Sequence, residues 1–291
     1  METFTRQSFD AETIAQGLLT GDGVVLLKDT FPRERIARFK ACLDAETEAG
    51  VETGSHFNQS EEEAALQRSI WFTRLVALDP GIADLVEDPM IVEAMRRFLG
   101  TEFVMGSLCA SRIMPGFKGQ QPHVDYPYWD IYRRDTFPRE INASFPLNAQ
   151  AIILIDAFTA ENGATALVPG SQHMLRYPEP ADGFMDCCIR LTGEPGDVVL
   201  FNGAAWHCAM PNASTASRMG LLVEFLPKFV KPIEDMLTGL DPAFLERASP
   251  VMKQLLGFRY PWPSTPPEPP MSYMRPPPDH IHTPFSPLRR A

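Results

Sequence analysis

Two histidines, one carboxylate and one arginine stand out among the residues that can do chemistry. In Q-Q-P-H-V-D-Y, His123 and Asp125 are two positions apart. Residues i and i+2 of an extended strand face the same side, so both side chains can enter one cavity. His207, in F-N-G-A-A-W-H-C-A-M, belongs to a separate predicted strand. Two imidazoles and one carboxylate from two strands form a facial triad, a ligand set that suits ferrous iron and leaves coordination positions open for an oxidant and for oxygen. Arg218 follows the turn Pro211-Asn212-Ala213-Ser214-Thr215 and leads into the apolar run Met219-Gly220-Leu221-Leu222-Val223. A hairpin at that turn is expected to bring Arg218 beside His207, where a planar guanidinium can grip a free carboxylate through paired hydrogen bonds. Taken singly, each feature has an ordinary reading: a common H-x-D pair, a core histidine beside Trp206, a surface ion pair. Their combination carries the weight.

The remaining candidates are weaker. His280 and His282 imitate a metal pair but lie in a proline-rich tail without a third ligand, and His56 sits in a polar, acidic stretch. Cys208 is expected to point away from His207 by strand alternation and to pack, as are Cys187 and Cys188. With five cysteines and no C-x-x-C, neither a disulfide framework nor a zinc ribbon is indicated.

The elements that must position these residues change character near Gly100. Before it, Gly23–Leu27 reads as a buried strand, a helix opens after Phe31-Pro32, a mobile loop spans Gly50–Glu63, and one long helix is expected from about Asp79 to Phe98. After it come short β-prone runs separated by Gly, Pro, Asn and Asp: Phe103–Ile113, Gln121–Tyr126, Gln150–Ala157, Ala164–Val168, Asp197–Phe201 and Met219–Leu226. Runs at this spacing without intervening amphipathic helices suggest an antiparallel sandwich or barrel. The expected organisation is a single domain over residues 1–259: a helical part over about 1–100, a β core over about 101–230 and a helical extension over about 231–259. Residues 260–291 hold eleven of the 28 prolines and read as an extended tail.

A net charge of −11 disfavours nucleic acid and anionic membrane as partners, since either requires a basic surface. The acidity belongs mainly to the first hundred residues, so it does not argue against an anionic small substrate. The N-terminus lacks a basic region followed by an apolar stretch, and no apolar run approaches the length of a membrane span. A cytoplasmic, soluble protein acting on a small molecule is expected, with a homodimer allowed.

The order H-x-D, then N-G-A-T-A-L-V-P-G-S-Q-H (Asn162–His173), then P-G-D-V-V-L-F (Pro195–Phe201), then His207 with N-x-S and Arg218 resembles the phytanoyl-CoA dioxygenase family over about Gly21–Pro227. The resemblance implies a mainly β (α+β) fold with a double-stranded β-helix, or jelly-roll, core and flanking helices, and an enzyme that uses Fe(II), 2-oxoglutarate and O2. It implies iron ligation by His123, Asp125 and His207, and a salt bridge from Arg218 to the distal carboxylate of 2-oxoglutarate. Family members often carry a serine two residues after the distal histidine. Here the position is Ala209, so a secondary contact to 2-oxoglutarate must come from elsewhere, with Gln120, Gln150 and Thr165 as candidates. Asp125 separates the chain from halogenating relatives, which vacate that position. The implied reaction decarboxylates 2-oxoglutarate to succinate while oxidising, chiefly hydroxylating, a C–H bond of a small organic, natural-product-like substrate.

Between Asp125 and the next strand lies an aromatic insertion, Tyr126–Leu147. Tyr126, Tyr128, Trp129, Tyr132 and Phe137 are expected to line the substrate pocket. Arg133, Arg134 and Arg139 are available to an anionic group, with Asp130, Asp135 and Glu140 near enough to neutralise them. Two other readings compete: a cupin-like metal enzyme that does not use 2-oxoglutarate, and a non-catalytic small-molecule binding protein. Succinate formation coupled to oxygen uptake separates them from the first.

Overall fold

Alternation along the strand R-M-G-L-L-V-E-F-L sets the architecture. Met219, Leu221, Val223 and Phe225 turn to one face and join the main apolar core. Arg218, Leu222 and Glu224 turn to the other and line a cavity. The computed structural model describes residues 1–49, 53–54, 60–137 and 145–258. Its strands are β1 (Glu2–Phe4), β2 (Val24–Leu27), β3 (Thr53–Gly54), β4 (Gln67–Trp71), β5 (Val104–Ile113), β6 (Ala149–Leu154), β7 (Ala166–Leu167), β8 (Ile189–Arg190), β9 (Val198–Asn202), β10 (His207–Cys208) and β11 (Arg218–Leu226). Eight of them form a large sheet in the order β1-β2-β9-β6-β11-β5-β4-β3, antiparallel except for the β1/β2 pair. A second sheet, β10-β7-β8, faces it.

Helices cover the outer face of the large sheet. Ile14 and Leu18 of Ala11–Leu19, Ile36, Phe39 and Leu43 of Arg33–Glu48, and Ile91 and Met95 of Pro89–Leu99 pack on Leu108, Ala151, Ile153, Leu200, Leu221 and Val223. Helices Pro242–Arg247 and Pro250–Leu255 add Phe244, Met252 and Leu255 to the same core. The inner face packs on the small sheet through Val24, Leu26, Ile152, Leu154, Val199 and Phe201 against Phe158, Leu167 and Leu191. Both faces of the central strands are therefore covered, which explains why β9 (V-V-L-F-N) is a continuous apolar run.

Several sequence expectations are revised. The helix expected from Asp79 to Phe98 is three pieces: a 3₁₀ turn at Pro80–Ile82, a short helix at Ala83–Val86 and a helix at Pro89–Leu99. Pro89 lacks the amide a continuous helix would need, and the Asp88 carboxylate caps the new start by accepting from the Met90 amide at 2.9 Å. Gln121–Tyr126 is not a strand but a single bridge at His123. The N-terminal part is not only helical, because β1, β2 and β4 belong to the large sheet. Within the stretch Gly50–Glu63, Thr53–Gly54 is a strand and a helix begins at Glu61, while the other positions up to 59 lie outside the described residues. Residues 260–291, with His280 and His282, also lie outside them, as do His56, Arg139 and Glu140.

Candidate active site

His123 and His207 face each other as one rung between chain segments. The His123 amide donates to the His207 carbonyl at 2.9 Å and the His207 amide to the His123 carbonyl at 3.0 Å. Two residues on, the Asp125 amide donates to the Gly203 carbonyl at 2.9 Å, which fixes the carboxylate beside the rings. One ligand atom from each of His123, Asp125 and His207 lies within 4.8 Å of the other two.

Both rings are oriented through their backs. Nδ1 of His123 lies 2.8 Å from the Gln121 carbonyl oxygen, and Nδ1 of His207 lies 2.8 Å from that of Ala205. A carbonyl only accepts, so each Nδ1 carries the proton and each Nε2 is left as a lone-pair donor toward the cavity. Oδ2 of Asp125 is buried without a hydrogen-bond partner, 3.4 Å from Nε2 of His207. Burial and the neighbouring His207 push the His123 pKa down to about 4, so it stays neutral. For His207, burial works against protonation, but the Asp125 carboxylate outweighs it and raises the pKa. Burial likewise opposes ionisation of Asp125, and the adjacent imidazoles prevail and lower its pKa. Two imidazoles oriented through their Nδ1 atoms beside an ionised carboxylate fit a divalent transition metal, whose binding displaces any proton that Asp125 holds on His207.

Arg218 reaches the cavity by a different route from the expected hairpin. β10 belongs to the small sheet and β11 to the large one, so residues 209–217 cross between sheets. Arg218 therefore faces the histidines from the opposite wall. Its side chain is 2% exposed and its guanidinium lies 4.1 Å over the Phe158 ring. It donates through Nη2 to the Gly163 carbonyl, while Nε is buried without a partner. Burial lowers its pKa to about 9, and among the described residues it forms no ion pair. The Asp156 charge offsets only part of the burial, and a carboxylate in the cavity fits the guanidinium. Gly163 has φ +83, and a Cβ there would lie 2.7 Å from the Met210 carbonyl oxygen. Its turn therefore both requires glycine and supplies the carbonyl that aims Arg218.

The cavity encloses about 680 Å³. Gln120, Gln150, Thr165 and Ala209 line it together with the four residues above. Gln150 hydrogen-bonds Asp125. Oε1 of Gln120 accepts from the Ala209 amide at 3.0 Å, and its Nε2 donates to Gln67 at 3.3 Å. Cys208 points away, with Sγ 3.7 Å from the Met210 sulfur.

The aromatic insertion contributes less to the lining than expected. Tyr126 and Trp129 line the cavity, but Tyr128, Tyr132, Arg133 and Phe137 do not. Tyr128 is buried in a separate cluster with Val124, Phe184 and Trp206, where its hydroxyl accepts from the Leu147 amide at 2.7 Å. Tyr132 packs against the same cluster. Arg133 turns outward to Asp135 at 2.9 Å, and Phe137 is exposed. The floor comes instead from the large sheet: Gln67, Ser69 and Trp71 of β4, Ser107, Cys109 and Ser111 of β5, and Leu222 and Glu224 of β11. Sequence reading passed over these residues, although alternate polar positions in β5 and one acid inside apolar β11 were the available signal. Glu224 is 4% exposed, and Oε1 accepts from Nδ2 of Asn148 at 2.6 Å. Burial, reinforced by the Asp125 charge, pushes its pKa well up.

The profile of the phytanoyl-CoA dioxygenase (PhyH) family matches residues 19–220, well over half of the chain. The chain is 27% identical over 258 residues to dioxygenase trt7 of Aspergillus terreus, covering 84% of this chain and 83% of that protein. It is 29% identical over 253 residues to dioxygenase cdmA of Talaromyces verruculosus, covering 83% and 81%. Among solved structures it resembles EctD from S. alaskensis with 2-oxoglutarate and 5-hydroxyectoine, with a TM-score of 0.59, 21% identity and coverage of 82% and 84%. It also resembles SnoK, a non-heme alpha-ketoglutarate-dependent carbocyclase from nogalamycin biosynthesis, with a TM-score of 0.57, 19% identity and coverage of 84% and 92%. At such identities the structural likeness speaks for the jelly-roll fold, and the family match carries the chemistry: the chain belongs to the phytanoyl-CoA dioxygenase family and is a non-haem Fe(II)/2-oxoglutarate-dependent dioxygenase.

Proposed function

We propose that this dioxygenase hydroxylates a C–H bond of a small, largely apolar organic substrate of natural-product type, in the cytoplasm and without a nucleic-acid or membrane partner. His123, Asp125 and His207 hold the iron, and Arg218 holds the distal carboxylate of 2-oxoglutarate. One observation carries this reading: an orphaned carboxylate oxygen between two oriented imidazoles faces a buried, only partly compensated guanidinium across a single cavity.

When bound, iron and 2-oxoglutarate supply, with O2, the oxidative decarboxylation to succinate and the oxidation of the C–H bond. The chain's residues do the rest. The Gln121 and Ala205 carbonyls keep the Nδ1 protons in place, so the Nε2 lone pairs stay directed inward. His207 and His123 favour the ionised form of Asp125, with a smaller contribution from Gln150. Gln120 and Thr165 sit where polar contacts to the cosubstrate can replace the serine absent at Ala209. Trp71, Tyr126, Trp129 and Leu222 line the cavity with apolar surface that excludes water and seats the substrate. No helix among the described residues is long and apolar enough to cross a membrane, and the net charge of −11 disfavours a polyanionic partner.

The test is anaerobic addition of Fe(II) and 2-oxoglutarate. The wild type is expected to develop a visible charge-transfer band that His123→Ala abolishes, and then to form succinate on admission of oxygen. A folded wild type that gives neither rejects the assignment.

A further inference from the structure

Two acids in the wall of the cavity are not used by the chemistry above: Glu62, which is exposed, and Glu224, which is buried. On the cavity face of β11 it lies six residues beyond Arg218, about 20 Å along an extended strand. It therefore marks the end remote from the cosubstrate carboxylate. Its carboxyl group is held rigidly. The fully buried Asn148 gives its side-chain amide to Oε1 of Glu224 at 2.6 Å and to the Tyr126 carbonyl at 2.6 Å. Oε2 lies over Gly106, where a Cβ would approach to 2.1 Å, so glycine reserves the space for it. Oε2 is buried and has no hydrogen-bond partner.

An acid kept inside a cavity with one oxygen tied and the other unsatisfied is disfavoured in the free protein. A ligand hydroxyl relieves this, because it can donate to or accept from a carboxyl group. Trp71, Tyr126, Trp129, Leu222 and Ile233 also line the cavity and offer mainly apolar contact. The cations in the lining are Arg218, committed to the cosubstrate, and Lys118, which is exposed. An anionic substrate group thus meets an acid at the remote end. We propose that Glu224 is a specificity-determining residue that hydrogen-bonds a hydroxyl group of a neutral, otherwise apolar substrate. This rests on the proposed placement of 2-oxoglutarate at Arg218.

The test uses a matched set of rigid probes: androstanol, its parent hydrocarbon androstane, androstanyl methyl ether and androstanyl hemisuccinate. Binding to the full-length, metal-free protein, with 2-oxoglutarate at saturation so that Arg218 is occupied, is read from quenching of tryptophan fluorescence, since Trp71 and Trp129 line the cavity. Androstanol is expected to bind at least about tenfold more tightly than the hydrocarbon, ether and hemisuccinate, the effect of one well-placed hydrogen bond. Glu224→Leu should erase the preference for the alcohol while androstane still binds, whereas Glu224→Gln, which can keep the Asn148 contact, should retain it. A merely structural role would weaken alcohol and hydrocarbon alike. Equal affinities for the alcohol and hydrocarbon in wild type, tightest binding of the hemisuccinate, or no saturable binding of the alcohol overturns the proposal. Should Glu224→Leu fail to fold, the wild-type comparison and Glu224→Gln still decide it. Because iron is absent throughout, failure of the 2-oxoglutarate chemistry would show only in the succinate assay.

Discussion

At the scale of single residues, Arg218 shows what a buried, only partly compensated charge implies. Truncating one member of a desolvated charge pair costs about 2–5 kcal/mol. Arg218→Ala is therefore expected to weaken 2-oxoglutarate binding by a factor of roughly 30 or more, with a smaller loss for Arg218→Lys, which keeps charge but not the planar fork. Titration calorimetry with 2-oxoglutarate measures both, and unchanged affinity in the alanine variant would remove Arg218 from the cosubstrate site. His123, Asp125 and Arg218 can be singled out from sequence by their combined order and spacing, since each taken alone is ordinary. The path differs from the sequence expectation: the chain crosses from one sheet to the other where a hairpin is expected, and strand alternation does not distinguish the two. The aromatic insertion misled for a related reason. Tyr128 and Tyr132 satisfy their own local cluster with Trp206 and Phe184, and aromatic content alone does not reveal which side of a wall a ring faces.

At the scale of elements, turns and clasps set the site's dimensions. Gly196 precedes β9 with φ +97, and a Cβ there would lie 2.3 Å from the Phe31 carbonyl oxygen. Asp197 completes the turn, accepting from the Asp29 and Glu194 amides at 2.9 Å each. Gly196→Ala is expected to cost about 2–4 kcal/mol by combining backbone strain with a clash, measured as a lowered urea midpoint. The P-G-D motif was readable as a turn, but the partner that forbids a side chain was not, since Phe31 is remote in sequence. A second clasp holds the segment after β11. Glu234 accepts from the Leu108 amide at 2.9 Å and the Phe72 amide at 3.1 Å, and burial raises its pKa to about 7. A carboxyl group whose folded pKa exceeds its unfolded value of about 4.5 binds more protons when folded. Its contribution is complete below that unfolded value and is lost as pH rises to about 7. Stability should fall over this interval by on the order of 1–3 kcal/mol. Glu234→Gln should flatten that part of the profile, and an unaltered slope in chemical denaturation would count against the clasp.

At the scale of the whole molecule, the helical parts at both ends serve one core. Phe244, Met252 and Leu255 pack with the N-terminal helices on the outer face of the large sheet, and Nε2 of buried Gln254 donates to the Phe103 carbonyl at 3.0 Å. Burial of each large apolar side chain contributes about 1.5–3 kcal/mol. Truncation after Leu240 should therefore remove more than about 5 kcal/mol, a large part of a typical domain's stability. Soluble yield and melting temperature check this, and a truncated chain that melts like the full one would make residues 241–258 an appendage. This packing explains why sequence showed the helices and strands more readily than their order in space: amphipathic periodicity reports that a face is buried, not which distant face covers it.

The reciprocal backbone bonds between His123 and His207 have an evolutionary corollary. The separation of the two imidazoles is set by one main-chain rung, which any pair of residues at those positions would form. The eighty or so residues between them supply β6 to β9, and the loops that join those strands are not needed to form the rung. Drift, insertion or recombination in the intervening loops can redraw the substrate cavity while the spacing of the two rings is inherited unchanged. Portability of one oxidising centre among many scaffolds for recognition is thus built into a pair of ordinary amide hydrogen bonds.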